Sequence, residues 1–187
     1  MIIGKGDIAS VLTDRDDVIY FASGVSNSKC TDVNQFEREI KLLLSQPRDK
    51  HLVYFSSLCT YNGTTEYARH KRVMEQSVKN NFGAYTIIRL GNIDWGKNPN
   101  TLINYLRSHP EASLQNTYRH VVSLDEFKYW LNFIKPGTKN EMNIPGKMWF
   151  VPDLAKELHG YDTRILDPTT SQGKLLRDAL NYKPPIK

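Results

Sequence analysis

The stretch Leu52-Val53-Tyr54-Phe55-Ser56-Ser57-Leu58-Cys59-Thr60-Tyr61, followed closely by Tyr67-Ala68-Arg69-His70-Lys71, decides how this chain is read. A short apolar run over residues 52–56 predicts a strand buried on both faces, as in a parallel sheet. Residues 64–81 predict a helix, with Thr64 or Thr65 as its N-cap. Ser57 then stands at the C-terminal end of a strand, where open α/β sheets hold their ligands. Tyr67 and Lys71, four residues apart, share one helix face. A tyrosine hydroxyl titrates near ~10. A neighbouring ammonium favours the phenolate, lowering that value and making the tyrosine usable as an acid or base near neutrality. Tyr-x-x-x-Lys alone marks a surface helix pair more often than a site. The serine-terminated strand just upstream gives the pattern its weight, against the reading that Ser56 and Ser57 only satisfy backbone groups.

Working outward, short apolar runs alternate with amphipathic stretches, the βαβ pattern. Strands are predicted over 1–3, 18–22 and 84–90, and a helix over 33–45 from the spacing of Val33, Phe36, Ile40, Leu43 and Leu44. After about residue 95 Asn, Pro and Gly become frequent. There the pattern predicts helices near 99–107, 124–134 and 171–181, strands near 119–123, 147–151 and 163–166, and a frayed Pro184-Pro185 tail. The expected fold is a three-layer α/β sandwich with a reduced Rossmann-like sheet of four or five parallel strands. Residues 1–95 form its core and residues 96–187 a smaller substrate-side lobe, with no clean linker between them.

The chain has 187 residues, 40% of them apolar, with a net charge of +5. No run reaches the ~18 apolar residues of a membrane span, and the Met1-Ile2-Ile3-Gly4 start lacks the build of a signal peptide. Cys30 and Cys59 do not make a disulfide framework, so a reducing cytosol is the expected setting. The positive charge suits an anionic partner. The basic residues are scattered, and the densest cluster, Arg69-His70-Lys71-Arg72, reads as a solvated helix face. A phosphate-bearing small molecule explains the charge as well as nucleic acid does, and nucleic acid is not the expectation.

Gly4-Lys5-Gly6-Asp7-Ile8-Ala9 follows a strand and is placed to open a helix, the G-x-G-x-x-[GA] setting of a pyrophosphate at a helix N-terminus. A simple strand-to-helix turn fits it equally well. The acidic residue that grips an adenosine ribose, ~20 positions further on, has no counterpart in that setting, although Asp14, Asp16 and Asp17 are present.

Taken together, residues 52–75 resemble the extended short-chain dehydrogenase/reductase family of nucleotide-sugar epimerases, dehydratases and reductases. Ser56-Ser57-Leu58-Cys59-Thr60-Tyr61 is similar to its Ser-Ser-x-x-(Val)-Tyr strand end, Tyr67 to Lys71 to its Tyr-x-x-x-Lys, and Glu75 to the glutamate that follows. Residues 18–26, which include Ala22-Ser23-Gly24, resemble the strand ending in small residues beside the cofactor. Asn34 matches an asparagine opening the next helix. Ile88-Arg89-Leu90-Gly91-Asn92-Ile93 resembles Arg-Pro-x-Asn-Val, and the segment from Arg119 to Phe127 resembles Arg-Asp-Phe-Val-His-Val-Asp-Asp-Val. Two departures stand out. The family's two additional βα units before the strand at 18–22 are absent, and the Ser57-to-Tyr67 spacing is about half the usual.

The resemblance implies NAD or NADP as cofactor, held by Gly4, Gly6, Asp7, Ile8, Ala22, Ser23, Gly24, Ser56 and Leu90. It implies catalysis by Ser57, Tyr67 and Lys71, a nucleotide-sugar substrate met by Asn92 and Arg119, and a homodimer. The alternative is a catalytically impaired scaffold that binds a nucleotide or a protein partner. No metal is expected: the five histidines, His51, His70, His109, His120 and His159, have no ligand spacing. Cys59 reads as packing, Trp95, Trp130 and Trp149 as core, and Ser123 as structural.

Overall fold

The computed structural model of the chain describes residues 1–110, 114 and 116–159. The strand expected near 163–166, the helix near 171–181 and the Pro184-Pro185 tail lie outside the described residues.

Five parallel strands form the main sheet: β1 (Ile2–Ile3), β2 (Val18–Phe21), β3 (His51–Ser57), β4 (Tyr85–Leu90) and β7 (Lys139–Ile144), in the spatial order β1-β2-β3-β4-β7. Within this sheet β3 pairs with β4 from Leu52↔Tyr85 to Ser57↔Leu90, which brings their C-terminal ends level. The fifth strand comes from beyond residue 95. It had no strong signal in the sequence, because its side chains alternate exposed and half-buried along an edge.

Successive strand residues point to opposite faces, and this sorts the core into two layers. On one face Ile19, Phe21, Leu52, Tyr54, Tyr85 and Ile87 pack with Leu43 of α1 (Val33–Leu44) and with Met74 and Val78 of α2 (Glu66–Asn81). On the other, Val18, Tyr20, Val53, Phe55, Ile88 and Leu90 pack with Phe127 of α4 (Leu124–Leu131) and with Trp95. The helices start where polar caps allow. Asp32 accepts the Asn34 amide at 2.9 Å, Thr65 the Ala68 amide at 3.2 Å and Ser123 the Glu126 amide at 3.2 Å.

The helix expected after the glycine turn is reduced to a 3₁₀ turn, Ala9–Val11, preceded by Ile8 without a side-chain cap. The physical reason is burial. Ile8, Val11 and Leu12, in the connection of residues 4–17 between β1 and β2, are drawn onto the sheet face as packing residues.

A second sheet, in the order β5-β6-β8, joins β5 (Asn92–Ile93), β6 (Tyr118–Val122) and β8 (Lys147–Phe150). Its β5–β6 pair is parallel and its β6–β8 pair antiparallel. With α3 (Leu102–Ser108) and α5 (Val151–His159) it surrounds a smaller cluster of Ile103, Leu106, Val121, Val151 and Leu154. Val122, the next residue along β6, belongs to the main core instead, so the two parts share one continuous interior.

Phe127 is fully buried, with ring centroids 5.8 Å from Phe55 and 5.1 Å from Trp95. Phe127→Ala is expected to lower unfolding stability by about 3–5 kcal/mol, measured by urea denaturation. A loss below about 1 kcal/mol would mean that this face is not closed as described.

Candidate active site

The C-terminal ends of the main strands open onto a cleft of about 1100 Å³. Its floor is made by Gly6, Asp7 and Ile8 after β1, Ala22, Ser23 and Gly24 after β2, Ser56 and Ser57 at the end of β3, and Leu90 at the end of β4. Tyr67 and Lys71 reach it from α2. Asn92 and Arg119 reach it from the second sheet. Of the site residues singled out in the sequence, Gly4 alone lies outside this lining. Its φ is +133°, and a Cβ there would collide with the Ala22 carbonyl oxygen, so the turn is pressed against the end of β2.

Several of these side chains already have structural partners. The Ser57 oxygen accepts the Cys59 amide at 3.3 Å and starts the turn Leu58–Thr60. Ser56 donates to Glu75 at 2.6 Å. Glu75 also receives the Arg89 guanidinium, which bridges onward to Glu141 at 2.7 Å. Asp7 accepts the amides of Lys97 and Asn98 at 2.9 and 3.0 Å, tying the glycine turn to the segment entering α3. Asn92 donates to the His120 carbonyl at 2.9 Å, and Arg119 reaches the Thr117 hydroxyl at 3.1 Å.

Lys71 does not point freely at Tyr67. Its Nζ lies 3.1 Å from Glu39 Oε1 and 3.0 Å from the Tyr54 hydroxyl, and 5.7 Å from the centre of the Tyr67 ring. Glu39, with no solvent exposure, accepts from four groups: Lys71, the Tyr54 hydroxyl at 2.9 Å, His70 Nε2 at 2.9 Å and the Val25 amide at 2.7 Å. Gly24 lies close against this cluster. A Cβ there would stand 2.7 Å from Lys71 Nζ and 2.8 Å from Glu39 Oε1. On the open side, Arg38 holds the Ser23 carbonyl at 2.8 Å.

This changes the electrostatics expected from Tyr67 and Lys71. Burial, reinforced by Cys59 and Glu39, pushes the Tyr67 hydroxyl well above its ordinary value, and a hydrogen bond with Ser57 only partly offsets the rise. Lys71 is not among the groups that lower it; its ammonium is paired with Glu39 at 3.1 Å. The Tyr54 hydroxyl is likewise driven up, by burial and by Glu39. Burial alone would raise the Glu39 carboxyl, but Lys71, His70 and the Val25 amide hold it at about 2.

Glu39, buried behind the cleft lining and bound to Lys71, is the residue that sequence reading missed. A signal was available: it interrupts the apolar stripe of α1, three residues after Phe36 and four before Leu43. Lys5, Lys29 and Asn98 at the cleft wall had no such signal. Among the described residues no group of His, Cys, Asp and Glu could hold a metal, and no helix is long and apolar enough to cross a membrane.

A parallel sheet with a cleft over its C-terminal edge, a serine at one strand end and a Tyr-x-x-x-Lys helix beside it define a reduced Rossmann-like fold. Several solved enzymes, epimerases and a reductase among them, share it. WbmG of Bordetella bronchiseptica, in complex with NAD, matches with a TM-score of 0.59 at 12% identity, over 78% of this chain and 56% of that one. UDP-glucose 4-epimerase of Thermus thermophilus, also with NAD, matches at 0.57 and 13% identity, over 77% and 61%. A dTDP-4-dehydrorhamnose reductase from Clostridium acetobutylicum matches at 0.59 and 17% identity, over 76% and 60%. The chain therefore spans somewhat more than half the length of these structures, and at these identities the likeness is one of fold. No protein-family model matches the sequence, and no curated protein matches it.

The Glu39 carboxylate gives a pH prediction. Folded, it stays ionised down to about pH 2; unfolded, only down to its ordinary 4.5. Its contribution is complete above 4.5 and is lost as pH falls towards 2. Acid should therefore remove on the order of 3 kcal/mol over that window. Urea midpoints measured from pH 6 to pH 2, compared with Glu39→Gln, check this. The variant is expected to be less stable at pH 6 and to lack that part of the slope.

Proposed function

We propose that the chain is an NAD(P)-dependent oxidoreductase or epimerase-like protein acting on a sugar or nucleotide sugar, with Tyr67 as its proton-transfer group. The observation that carries this reading is one cleft that gathers Ser57, Tyr67 and Lys71 from a single βα unit opposite Asn92 and Arg119.

The residues suit the reacting half of a nicotinamide dinucleotide. Gly6 lines the cleft with no atom within 4 Å of where a Cβ would stand, which leaves room for a pyrophosphate at the turn. Ala22, Ser23 and Gly24 present small side chains beside it, and Lys5 and Lys29 supply positive charge. The adenosine half finds less. β1 is the edge of the sheet, and Asp7, the acid at the glycine turn, is occupied by Lys97 and Asn98.

When bound, the nicotinamide would give or take a hydride. Tyr67 would supply the proton to the substrate oxygen. Its raised hydroxyl is a phenol at neutral pH, which suits the acid role in carbonyl reduction better than the base role in alcohol oxidation. Ser57 would hold the same oxygen by hydrogen bonding, and Arg119 would meet the diphosphate of the substrate. The proposed assembly is a homodimer through α2, and the proposed setting is a reducing cytosol, where the free thiols Cys30 and Cys59 would persist.

The engagement of Lys71 by Glu39 favours a second reading: a scaffold that binds a nucleotide with little turnover. Titration with NADH and NADPH, monitored by nicotinamide fluorescence, separates the two. Turnover of a UDP- or dTDP-sugar that drops about 10²–10⁴-fold in Tyr67→Phe supports the enzyme. Binding without turnover supports the scaffold, and no binding of either cofactor at millimolar concentration removes the enzyme reading.

Arg119→Ala is expected to raise KM for the nucleotide sugar about 10–100-fold, the worth of a hydrogen bond to a charged group, with cofactor affinity unchanged. An unaltered KM in steady-state kinetics would remove Arg119 from substrate binding.

A further inference from the structure

The strongest observation that the proposed function leaves unused is the buried carboxylate under the cleft. Glu39 comes from α1, Lys71 and His70 from α2, Tyr54 from β3 and the Val25 amide from the loop after β2. Such a charge is tolerated in the interior only when paired and fully hydrogen-bonded. Here every partner is a donor, and the only ammonium among them is that of Lys71. The proton-transfer helix and the cofactor-side loop are thus clamped to one carboxylate.

We propose that Glu39, through its ion pair with Lys71, is the positioning residue that decides which proton-transfer role Tyr67 can take. With the pair closed, the ammonium is spent on Glu39 and Tyr67 remains a phenol, able to donate. With the carboxylate charge removed, the Lys71 ammonium is unbalanced beside the Tyr67 ring and favours the phenolate, so the tyrosine becomes available as a base. An opposite charge at this separation is worth a shift of about one unit or more.

The groups around Tyr67 come from every element packed on it. Cys59 lies in the turn after β3, Cys30 and Val25 in the loop before α1, Phe36 and Glu39 on α1, and Ser57 at the end of β3. Around Glu39 stand Lys71, His70 and Tyr54. Of these, the Glu39 carboxylate and the Lys71 ammonium form the ion pair at 3.1 Å, and His70 adds a positive charge at 2.9 Å whenever it is protonated.

The inference deepens the proposed role of Tyr67 and rests on that reading only in naming the tyrosine as the reacting group. Its test needs neither cofactor nor substrate, so its failure is distinct from failure of the proposed function. The tyrosinate absorbance of the intact chain is titrated with and without Tyr67→Phe, so that the difference reports Tyr67 alone. The same pair of titrations is made in Glu39→Gln. The expected result is a Tyr67 step at least about one pH unit lower in Glu39→Gln than in the parent. Because the Glu39 charge by itself also raises Tyr67, the titration pair is repeated with Lys71→Met added to Glu39→Gln. A step that climbs back once Lys71 is gone supports the route through the lysine, and a step unchanged or higher in Glu39→Gln, or equally low without Lys71, overturns the proposal.

Should Glu39→Gln fail to fold, Gly24→Ala serves instead. The atoms nearest its Cβ would be Lys71 Nζ and Glu39 Oε1, so the methyl would strain the pair without removing either residue. It is expected to move the Tyr67 step in the same direction. A folded Gly24→Ala with the parent titration overturns the proposal equally.

Discussion

A carboxylate shut away from water organises this molecule. Glu39 has no exposed surface, and its two oxygens take a lysine, a histidine, a tyrosine and a backbone amide. Removing one partner of such a group leaves an uncompensated charge in a poor dielectric, a loss of about 3–5 kcal/mol. The cluster therefore behaves as a single unit. It joins the loop after β2, the helix α1, the middle of β3 and the helix α2. Those are the elements that set the depth and shape of the cleft, so its geometry depends on that one carboxylate remaining ionised.

A second buried pair does similar work further along the sheet. Arg89 on β4 is held by Glu75 from α2 and by Glu141 from β7, and its guanidinium is held in the charged form by those carboxylates. This locks the fifth strand to the helix that carries Tyr67 and Lys71. Asp7 and Trp95 provide the corresponding link between the glycine turn and the second sheet, since the Trp95 indole donates to the Asp7 carbonyl at 3.2 Å. The sheet ends at β1 on this side, and the polar groups of the glycine turn serve there as braces.

The three central strands and the two helices packed on them were legible because each is long and regular enough to show its period. Thr65 as the cap of α2 could be read from local chemistry. The two-residue strand β5 is too short to show any period. The strand β7 is an edge with polar side chains on its open side, so no apolar run marks it. The helix α5 carries Pro152 in its first turn, where a missing amide costs nothing but where a proline interrupts a reading by pattern. The glycine motif pointed to a helix, and only the pull of Val11 and Leu12 onto the sheet decided for a short turn.

The sequence by itself determined that Ser57 ends a strand and that Tyr67 and Lys71 share a helix face, because both follow from backbone geometry within a few residues. Only the tertiary structure decided what those residues touch. Glu39 lies 32 positions from Lys71 in the chain, and no local period carries information about a contact at that range. Packing of α1 on α2 brings them together. Once paired there, the lysine no longer acts on the tyrosine as its spacing alone implied, and burial settles the phenol instead.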